Sequence, residues 1–273
     1  MASTPLLETA ILTSRERIAP GFWCLGFRSP HITSRAKSAQ YVAIDLPGEF
    51  SVRLPLGIWT TVEDEFSLLF REWGDRTTRL AQIPEGQPVS MIGPLGNAFT
   101  LPAPGRRAIV VAGGLGVVPF WLLVRELREA NVHVSVLLGA KTRDLLVGSA
   151  ELALLGAPIE LCTDDGSLGE RGTVLDLLER VPKADMWYGC GPPAMLRALC
   201  ERAVEKRVPC QISMEETFGC SMGTCWGCVV PVRRGAAQGT GYPRAGTERR
   251  EYDFARVCTD GTVFFAEDVL WPK

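Results

Sequence analysis

A group of closely spaced cysteines constrains this chain more than any other feature of its sequence. Between Met214 and Pro231 the sequence reads M-E-E-T-F-G-C-S-M-G-T-C-W-G-C-V-V-P, with cysteines at C-x4-C-x2-C spacing. A further cysteine follows in R-V-C-T-D-G. This is the plant-type spacing for a [2Fe-2S] cluster, in which one loop supplies three thiolates and a distant strand or turn supplies the fourth. The predicted ligands are Cys220, Cys225, Cys228 and Cys258.

The glycines of this loop favour a cluster. Gly219, Gly223 and Gly227 can adopt positive φ, and they have no Cβ to keep backbone N–H groups from pointing at the sulfur atoms. Those amides would offset the negative charge of the thiolates and sulfides. Four cysteines can also hold a structural zinc ion, and buried, unpaired cysteines are a third interpretation.

Length, charge and cysteine number limit the class of protein. The 273 residues have room for two domains and a small cofactor module. A formal net charge of -2, with acidic and basic residues interspersed, indicates no nucleic-acid partner. No apolar run reaches the ~18 residues of a membrane span, and the N-terminal sequence contains no secretory signal. Nine cysteines, an odd number, without an export signal predict a cytoplasmic protein with metal-bound thiolates rather than disulfides.

The other cysteines and the two histidines are not predicted to be catalytic. His133 lies on an apolar strand and His31 in a polar loop. The chain has no G-x-S-x-G, H-E-x-x-H or Walker sequence, which argues against hydrolytic and phosphoryl-transfer chemistry. Four of the remaining cysteines are interpreted as core residues, namely Cys24, Cys162, Cys200 and Cys210.

The pattern of apolar residues divides the chain into three parts. Residues 1–103 contain short alternating runs separated by Pro and Gly, which predict an antiparallel barrel, with a helix over Thr77 to Ile83. Residues 104–213 alternate strand and helix patterns, which predict a parallel sheet. Residues 214–273 hold the cysteine loop, a Gly- and Arg-rich stretch predicted to be a surface loop or partly disordered, and a tail predicted to close on itself.

Two glycine turns in the second part predict a nucleotide site. One contains Gly113, Gly114 and Gly116, and the other contains Cys190, Gly191 and Pro192; each follows a predicted strand and precedes a predicted helix. An open parallel sheet binds nucleotides at such strand ends. A tight turn without a ligand is the alternative for the first turn, and a buried thiol is the alternative for Cys190.

Five segments, taken together, resemble the ferredoxin reductase-like flavoproteins. They resemble more closely the family of iron–sulfur electron-transfer subunits of NAD-dependent bacterial dihydroorotate dehydrogenase. In chain order they are G-P-L-G-N-A-F, A-G-G-L-G-V-V-P, G-C-G-P-P-A-M-L, E-E-T-F-G-C-S-M-G-T-C-W-G-C and V-C-T-D-G-T-V-F. The resemblance extends over essentially the whole chain. It implies a flavin-binding β barrel, an α/β domain that binds NAD, and a small C-terminal [2Fe-2S] module.

The resemblance implies two FAD-binding elements. In the family, an R-x-P-[ILF]-[ST] strand places Arg on the pyrophosphate and the following residues against the flavin ring. Here Arg53, Pro55 and Leu56 match, and Gly57 replaces the hydroxyl residue, which is expected to alter the flavin potential more than its binding. The second element, usually G-x-G-T, has an arginine in place of its second glycine, so a direct arginine contact is expected to replace a backbone contact. Its residues here are Gly74, Arg76, Thr77 and Thr78.

The resemblance also implies a function in electron transfer. NADH would exchange a hydride with FAD, which would pass single electrons to the cluster. Dihydroorotate would bind to a separate FMN-containing subunit of a hetero-oligomer, a heterotetramer of the pyrimidine biosynthesis pathway. The rim of the cysteine loop, with Met222 and Trp226, would either contact that subunit or pack the loop onto this chain. The spacer between Cys228 and Cys258 is longer than is usual in the family.

Two other functions stay open. One is an electron-transfer subunit of a hydrogenase or of a ferredoxin:NADP oxidoreductase complex. Lys141 and Arg143 follow the second α/β strand and would favour the 2′-phosphate of NADP. The other is a zinc-stabilised binding protein without redox activity.

Overall fold

The computed structural model of the chain describes residues 5–46, 48, 52–236 and 252–271. Most of the Gly- and Arg-rich stretch that was predicted to be a surface loop falls in residues 237–251, outside the described residues.

Residues 6–95 form the predicted antiparallel barrel. Its strands are β1 (Leu6–Ala19), β2 (Phe22–Arg28), β3 (Tyr41–Ile44), β4 (Leu54–Val62), β5 (Glu65–Arg71) and β6 (Pro88–Leu95). They close in the order β1-β2-β5-β4-β3-β6. The run T-T-V-E-D-E-F-S-L-L-F forms a hairpin, in which Glu63 takes a left-handed conformation between β4 and β5.

Two short helices interrupt the barrel, α1 (Pro30–Thr33) and α2 (Asp75–Ala81). The second is the helix that was predicted over Thr77 to Ile83. It begins two residues earlier because Gly74, at φ +79°, is its N-cap.

The second part of the chain forms a parallel sheet covered by helices. Its strands are β7 (Arg107–Gly113), β8 (His133–Ala140), β9 (Ile159–Thr163), β10 (Glu170–Arg171), β11 (Met186–Cys190) and β12 (Cys210–Ser213). Its helices are α3 (Phe120–Glu129), α4 (Ser149–Ala153), α5 (Val174–Leu178) and α6 (Pro193–Lys206). Short 3₁₀ turns occupy Gly114–Val117 and Arg143–Leu145. The near-continuous apolar sequences of β7 and β8 are explained by their central position, since helices bury both faces of a parallel sheet.

The C-terminal part adds one strand to the edge of the parallel sheet. Strands β13 (Val229–Arg233) and β14 (Tyr252–Arg256) form an antiparallel pair, followed by the one-turn helix α7 (Val257–Asp260). Strand β15 (Val263–Phe265) then pairs antiparallel with β12. The sheet therefore has seven strands in the order β10-β9-β8-β7-β11-β12-β15. The tail was predicted to close on itself, but its strand β15 instead pairs with β12 of the parallel sheet. The domain boundaries at residues 103/104 and 213/214 stay predictions.

Two apolar cores connect the three parts. One runs from the barrel interior to the α3 side of the sheet. The other joins the opposite side, with α5 and α6, to the segments that carry the cysteines. Among the described residues, no helix is long and apolar enough to cross a membrane.

Candidate functional site

The two predicted glycine turns lie side by side because β7 and β11 are adjacent parallel strands. A Cβ at Gly116 would lie 2.1 Å from the carbonyl oxygen of Cys190 and 2.6 Å from the amide nitrogen of Gly191. A Cβ at Gly113 would lie 2.7 Å from Cδ of Pro192. Both positions therefore need glycine so that the two turns can touch.

These turns form one side of a cavity of about 610 Å³. Five of the six predicted nucleotide-binding residues line it, namely Gly113, Gly114, Gly116, Gly191 and Pro192. Gly114 has φ +56°, and a Cβ built there meets no atom within 4 Å. Because its backbone faces open space, a ligand phosphate can approach it closely. We call this the dinucleotide cavity.

The far side of the dinucleotide cavity carries charges of both signs. Lys141 and Asp164 line it, each just beyond the end of a parallel strand. Arg143, which was predicted together with Lys141, is not among the lining residues; its backbone amide donates to Oγ of Ser167 at 2.8 Å. A cation for a 2′-phosphate and a carboxylate for a ribose hydroxyl are thus both present.

A second cavity, of about 240 Å³, lies between barrel strand β4 and the sheet. Pro55, Leu56 and Gly57 line it from the barrel, and Cys190 lines it from the end of β11. A Cβ at Gly57 would come within 2.9 Å of Cγ1 of Val118. Val118 therefore occupies the space that the expected hydroxyl side chain would need. We call this the flavin cavity, after the ring that the resemblance assigns to it.

The two cavities share a wall made of Leu115, Met214, Glu215 and Glu216. The two glutamates were not among the predicted site residues. Their signal was available, because a pair of carboxylates directly follows β12 at the carboxyl end of a parallel strand. Ligands bound in the two cavities would therefore meet at these side chains.

The shared wall is electrostatically unusual. Glu215 keeps solvent contact through the cavities, yet the surrounding protein desolvates its carboxyl group and raises its pKa. Cys190 is 1% exposed, and burial, followed by the nearby charge of Glu215, raises the pKa of its thiol well above the ordinary value. The thiol therefore faces the flavin cavity as a neutral group.

The predicted pyrophosphate arginines, Arg53 and Arg76, are not among the residues that line the flavin cavity. Nε of Arg53 lies 2.9 Å from Oδ1 of Asp45, an ion pair that a bound pyrophosphate would have to share or replace. Arg76 donates from Nη2 to the carbonyl oxygen of Val52 at 2.9 Å, but its buried Nε has no hydrogen-bond partner among the described residues. Such an unpaired buried donor fits an anion that binds beside Arg76.

The threonines of the second FAD element hold the turn before α2. Oγ1 of Thr77 accepts from the amide of Trp73 at 2.6 Å and donates to the carbonyl oxygen of Gly74 at 3.1 Å. Oγ1 of Thr78 donates to Oε1 of Glu72 at 3.0 Å. Both hydroxyls therefore have partners within the protein, and their structural role here is to shape the turn.

The cysteine loop folds around the sulfur atom of Cys220. Three backbone amides donate to this atom, from Met222 at 3.4 Å, Thr224 at 3.2 Å and Cys225 at 3.3 Å. Burial opposes ionisation of the thiol, but these amides and the Cys225 thiol outweigh it and lower the pKa of Cys220 to about 6. Convergent amides are the environment that a metal-bound thiolate requires.

The four cysteines come together as two pairs. Cys220 lies beside Cys225, and Cys228 lies beside Cys258, close enough for the neighbouring thiol to shift the pKa of Cys220 and of Cys258. Burial, and then the hydrogen bond and charge of Cys228, raise the pKa of Cys258 to about 12. Within the described ranges, no group of three or more His, Cys, Asp or Glu side chains converges on a point where one metal ion would sit. Two pairs of thiols match the donor set of a two-iron cluster, which takes four cysteines.

The loop glycines serve different purposes in the backbone. Of the three glycines only Gly223 has positive φ, and the other left-handed residues are Ser221 and Trp226. Gly219 is needed for space instead, because a Cβ there would lie 3.0 Å from the sulfur of Cys225. The buried hydroxyl of Ser221 has no hydrogen-bond partner among the described residues. It is thus an unpaired donor beside Cys220, as expected if an acceptor such as a cluster sulfide binds there.

The rim of the loop is partly exposed. Met222 is 56% exposed, Cys225 is exposed, and Trp226 is half-buried beneath the guanidinium of Arg256, 5.2 Å from its ring centroid. Trp226 therefore packs the loop onto this chain, whereas Met222 is open to a partner.

Comparison with known proteins gives close relatives along most of the chain. It is 34% identical over 262 residues to the electron transfer subunit of dihydroorotate dehydrogenase B (NAD(+)) of Desulforamulus reducens, which covers 93% of this chain and 94% of the relative. The subunit of the same name from Caldanaerobacter subterraneus subsp. tengcongensis is 32% identical over 270 residues, 97% of this chain and 98% of the relative. No family model matches the chain.

Solved structures share the fold. A chain of the NADH-dependent reduced ferredoxin-NADP oxidoreductase, studied for flavin-based electron bifurcation, aligns with a TM-score of 0.80 and 26% identity over 99% of this chain and 92% of that chain. The cytochrome b5 reductase domain of Ulva prolifera nitrate reductase aligns with a TM-score of 0.61 and 19% identity, over 74% of this chain and 93% of that chain. The latter likeness supports the barrel and sheet architecture alone.

Proposed function

We propose a function from the premise that this chain belongs to the family of electron transfer subunits of NAD-dependent dihydroorotate dehydrogenase B. In this proposal it passes electrons between NAD(H) and a partner subunit that oxidises dihydroorotate. One observation carries the proposal. The flavin cavity shares one wall with the dinucleotide cavity and is lined elsewhere by Phe218 and Thr262, which lie beside the cysteines. Three redox sites in series are thereby brought within one small region.

FAD is the group we assign to the flavin cavity. Pro55, Leu56 and Gly57 would face its ring, and Arg53 and Arg76 would bind its pyrophosphate. When bound, FAD exchanges two electrons with NAD(H) and single electrons with an iron–sulfur cluster. Glu215 and the neutral thiol of Cys190 would line the place where nicotinamide and flavin meet.

A [2Fe-2S] cluster is the group we assign to Cys220, Cys225, Cys228 and Cys258. The two thiol pairs, the amides directed at Cys220 and the unpaired hydroxyl of Ser221 support it. A zinc ion requires four thiolates around one centre, and the paired arrangement favours this less. The Cys220–Cys225 pair lies nearer the surface, because Cys225 is exposed whereas Cys228 and Cys258 are buried.

The partner is proposed to be the FMN-containing catalytic subunit, in a hetero-oligomer in the cytoplasm. Met222 and Cys225 lie on the exposed rim of the loop, where an electron can leave the chain. An apolar side chain without cover beside a redox group is suited to a docking surface. The same rim also suits the alternative partner, because 26% identity links the chain to the NADH-dependent reduced ferredoxin-NADP oxidoreductase.

Spectroscopy tests the cofactors. Anaerobically purified chain is expected to show flavin and iron–sulfur absorption bands, and Cys225→Ser is expected to lose the iron signal while NADH still reduces the flavin. Cys24→Ser is the control, since Cys24 lies in the barrel and is not one of the cluster cysteines. A colourless wild-type protein that contains zinc would rule out the redox function.

Steady-state kinetics test the preference for NADH, and co-purification tests the identity of the partner subunit. We expect NADH to be preferred over NADPH, and we expect an FMN-containing dihydroorotate-oxidising subunit to co-purify. A strong preference for NADPH, or co-purification with a ferredoxin-dependent enzyme instead, would favour the alternative function.

A further inference from the structure

One side chain of the barrel reaches both the flavin cavity and the cysteine loop. Tyr41, at the start of β3, is 3% exposed and lines the flavin cavity. Its hydroxyl lies 2.9 Å from the carbonyl oxygen of Cys258 and 3.2 Å from the carbonyl oxygen of Ser221. Tyr41 is not part of the pattern by which the FAD-binding strand was recognised, and it is 217 residues from Cys258 in sequence.

The hydroxyl of Tyr41 connects both thiol pairs. Cys258 belongs to one pair, and Ser221 is the neighbour of Cys220 in the other. A phenol has a single proton, so the two carbonyl oxygens share one donor, with the shorter distance to Cys258. The backbones of the two ligand segments are therefore fixed relative to each other and to β3.

The ring of Tyr41 continues this connection. It packs against Phe218 with ring centroids 5.2 Å apart and planes tilted by 58°. Phe218 also lines the flavin cavity and lies two residues before Cys220. The two rings thus form the wall between the flavin cavity and the cysteines.

The other hydrogen bonds described here between the N-terminal part and the cysteine-bearing segments reach only the segment that follows Cys258. Oγ1 of Thr262 donates to the carbonyl oxygen of Ala39 at 2.7 Å, and Asn97 exchanges two hydrogen bonds with the backbone of Val263 at 2.7 and 2.9 Å. They fix the segment that follows Cys258. Tyr41, by contrast, also reaches the segment that contains Cys220.

We propose that Tyr41 is a positioning residue that holds the cluster ligands at a fixed place against the flavin cavity, so that single electrons pass readily between flavin and cluster. The proposal rests on the proposed function. Tyr41 keeps its phenolic proton and is neither oxidised nor reduced; each electron lost by the flavin is gained by the cluster. Groups that orient metal ligands through hydrogen bonds typically change metal affinity or activity by about 10–100-fold when they are removed.

The test compares Tyr41→Phe with Tyr188→Phe in the full chain with its cofactors. Tyr188 is the matched control because it is also buried, and its hydroxyl donates to the carbonyl oxygen of Thr100 at 2.7 Å, away from the cysteines. Stopped-flow absorption after mixing with NADH follows the flavin and the cluster separately. The electron paramagnetic resonance spectrum of the dithionite-reduced protein reports on cluster geometry without turnover.

In Tyr41→Phe, we expect NADH to reduce the flavin at a rate within about twofold of wild type. We expect the cluster to be reduced at least about tenfold more slowly than in wild type, and the electron paramagnetic resonance spectrum to change. Tyr188→Phe should change neither cluster property. Loss of the cluster from Tyr41→Phe, with flavin retained, would equally support the proposal.

Three results would overturn it. The first is a Tyr41→Phe protein with wild-type resonance spectrum and cluster reduction rate, which leaves the proposed function intact. The second is loss of flavin and of native circular dichroism together, which would mean that Tyr41 stabilises the barrel as a whole. The third is a wild-type protein that binds no cluster, which would overturn the proposed function as well.

Discussion

At the scale of single residues, Gly114 and Gly116 lie in the same turn, but each position needs glycine for a different reason. Gly116 lies against the backbone of Cys190, where a Cβ would come within 2.1 Å of the carbonyl oxygen. Gly114, two residues earlier, has positive φ but open space around it. The first position is limited by packing and the second by backbone conformation.

This difference predicts unequal effects of alanine. Gly116→Ala must separate the two turns and is expected to lower the free energy of unfolding by about 3 kcal/mol and to weaken NADH binding. Gly114→Ala is expected to cost about 1 kcal/mol through its left-handed conformation, while its methyl group intrudes on the dinucleotide cavity and raises the KM for NADH. Urea denaturation and NADH kinetics measure both effects. Equal destabilisation by the two substitutions would contradict the packing argument.

At the residue level, the sequence carries information in the spacing of side chains but little about how they pack. The four cysteines were chosen by spacing and come together as two pairs. In contrast, three loop glycines were noted as able to adopt positive φ, but of these only Gly223 does, together with the non-glycine residues Ser221 and Trp226. Nothing local predicts that Val118 fills the space beside Gly57, because the two residues meet only in the folded chain.

At the scale of elements, a partly buried carboxylate joins the barrel to the sheet domain. Glu126 on α3 accepts hydrogen bonds from the amide and the hydroxyl of Ser38, at 3.1 and 2.8 Å. Burial raises the pKa of Glu126 above its ordinary value, even though Ser38 and the nearby charges of Arg125 and Lys37 oppose the shift. The protonated form is therefore favoured more in the folded chain than in the unfolded one.

This shift gives stability a predictable pH dependence. The contribution of protonated Glu126 is complete below the pKa of the unfolded chain and is lost as pH rises through the higher folded pKa. Glu126→Gln removes the charge; its amide oxygen can still accept from the backbone amide of Ser38, and its NH₂ group can donate to the Ser38 hydroxyl. It is therefore expected to melt at a higher temperature than wild type at pH 7.5 and at about the same temperature near pH 4. For a chain of this size, 1 kcal/mol shifts Tm by about 2–4 °C, which calorimetry resolves. A lower Tm for Glu126→Gln at pH 7.5 would contradict this account.

The types of the elements were predictable from local periodicity, whereas the pairing of some strands was not. The barrel strands and the alternation of strands and helices followed from apolar spacing, and α2 was displaced by only two residues. Strand β10 has two residues and carries no detectable pattern. The pairing of β15 with β12 depends on tertiary packing of residues 50 positions apart, so the sequence of the tail alone indicated a strand but not its neighbour.

At the scale of the whole molecule, the fold brings the two cavities and the cysteine loop together in sequence. The dinucleotide cavity and the flavin cavity meet at Glu215, and the flavin cavity meets the cysteine loop at Tyr41 and Phe218. The loop ends at an exposed rim that includes Cys225. Strand β15 holds this loop on the edge of the same sheet that supports the dinucleotide cavity. Each of these three sites is therefore fixed by elements that it shares with the next.

Such an arrangement predicts how many electrons the isolated chain accepts. Bound FAD takes two electrons and a [2Fe-2S] cluster one, so anaerobic titration with dithionite should end at about three electrons per fully loaded chain. Cys225→Ser, which removes one cluster ligand, should end at about two, because its flavin is unaffected. A zinc-loaded protein would also stop at two, and metal analysis separates that case. If the wild-type chain, with full flavin and iron content, accepted only two electrons, the cysteine loop would not hold a redox-active cluster and the relay would end at the flavin.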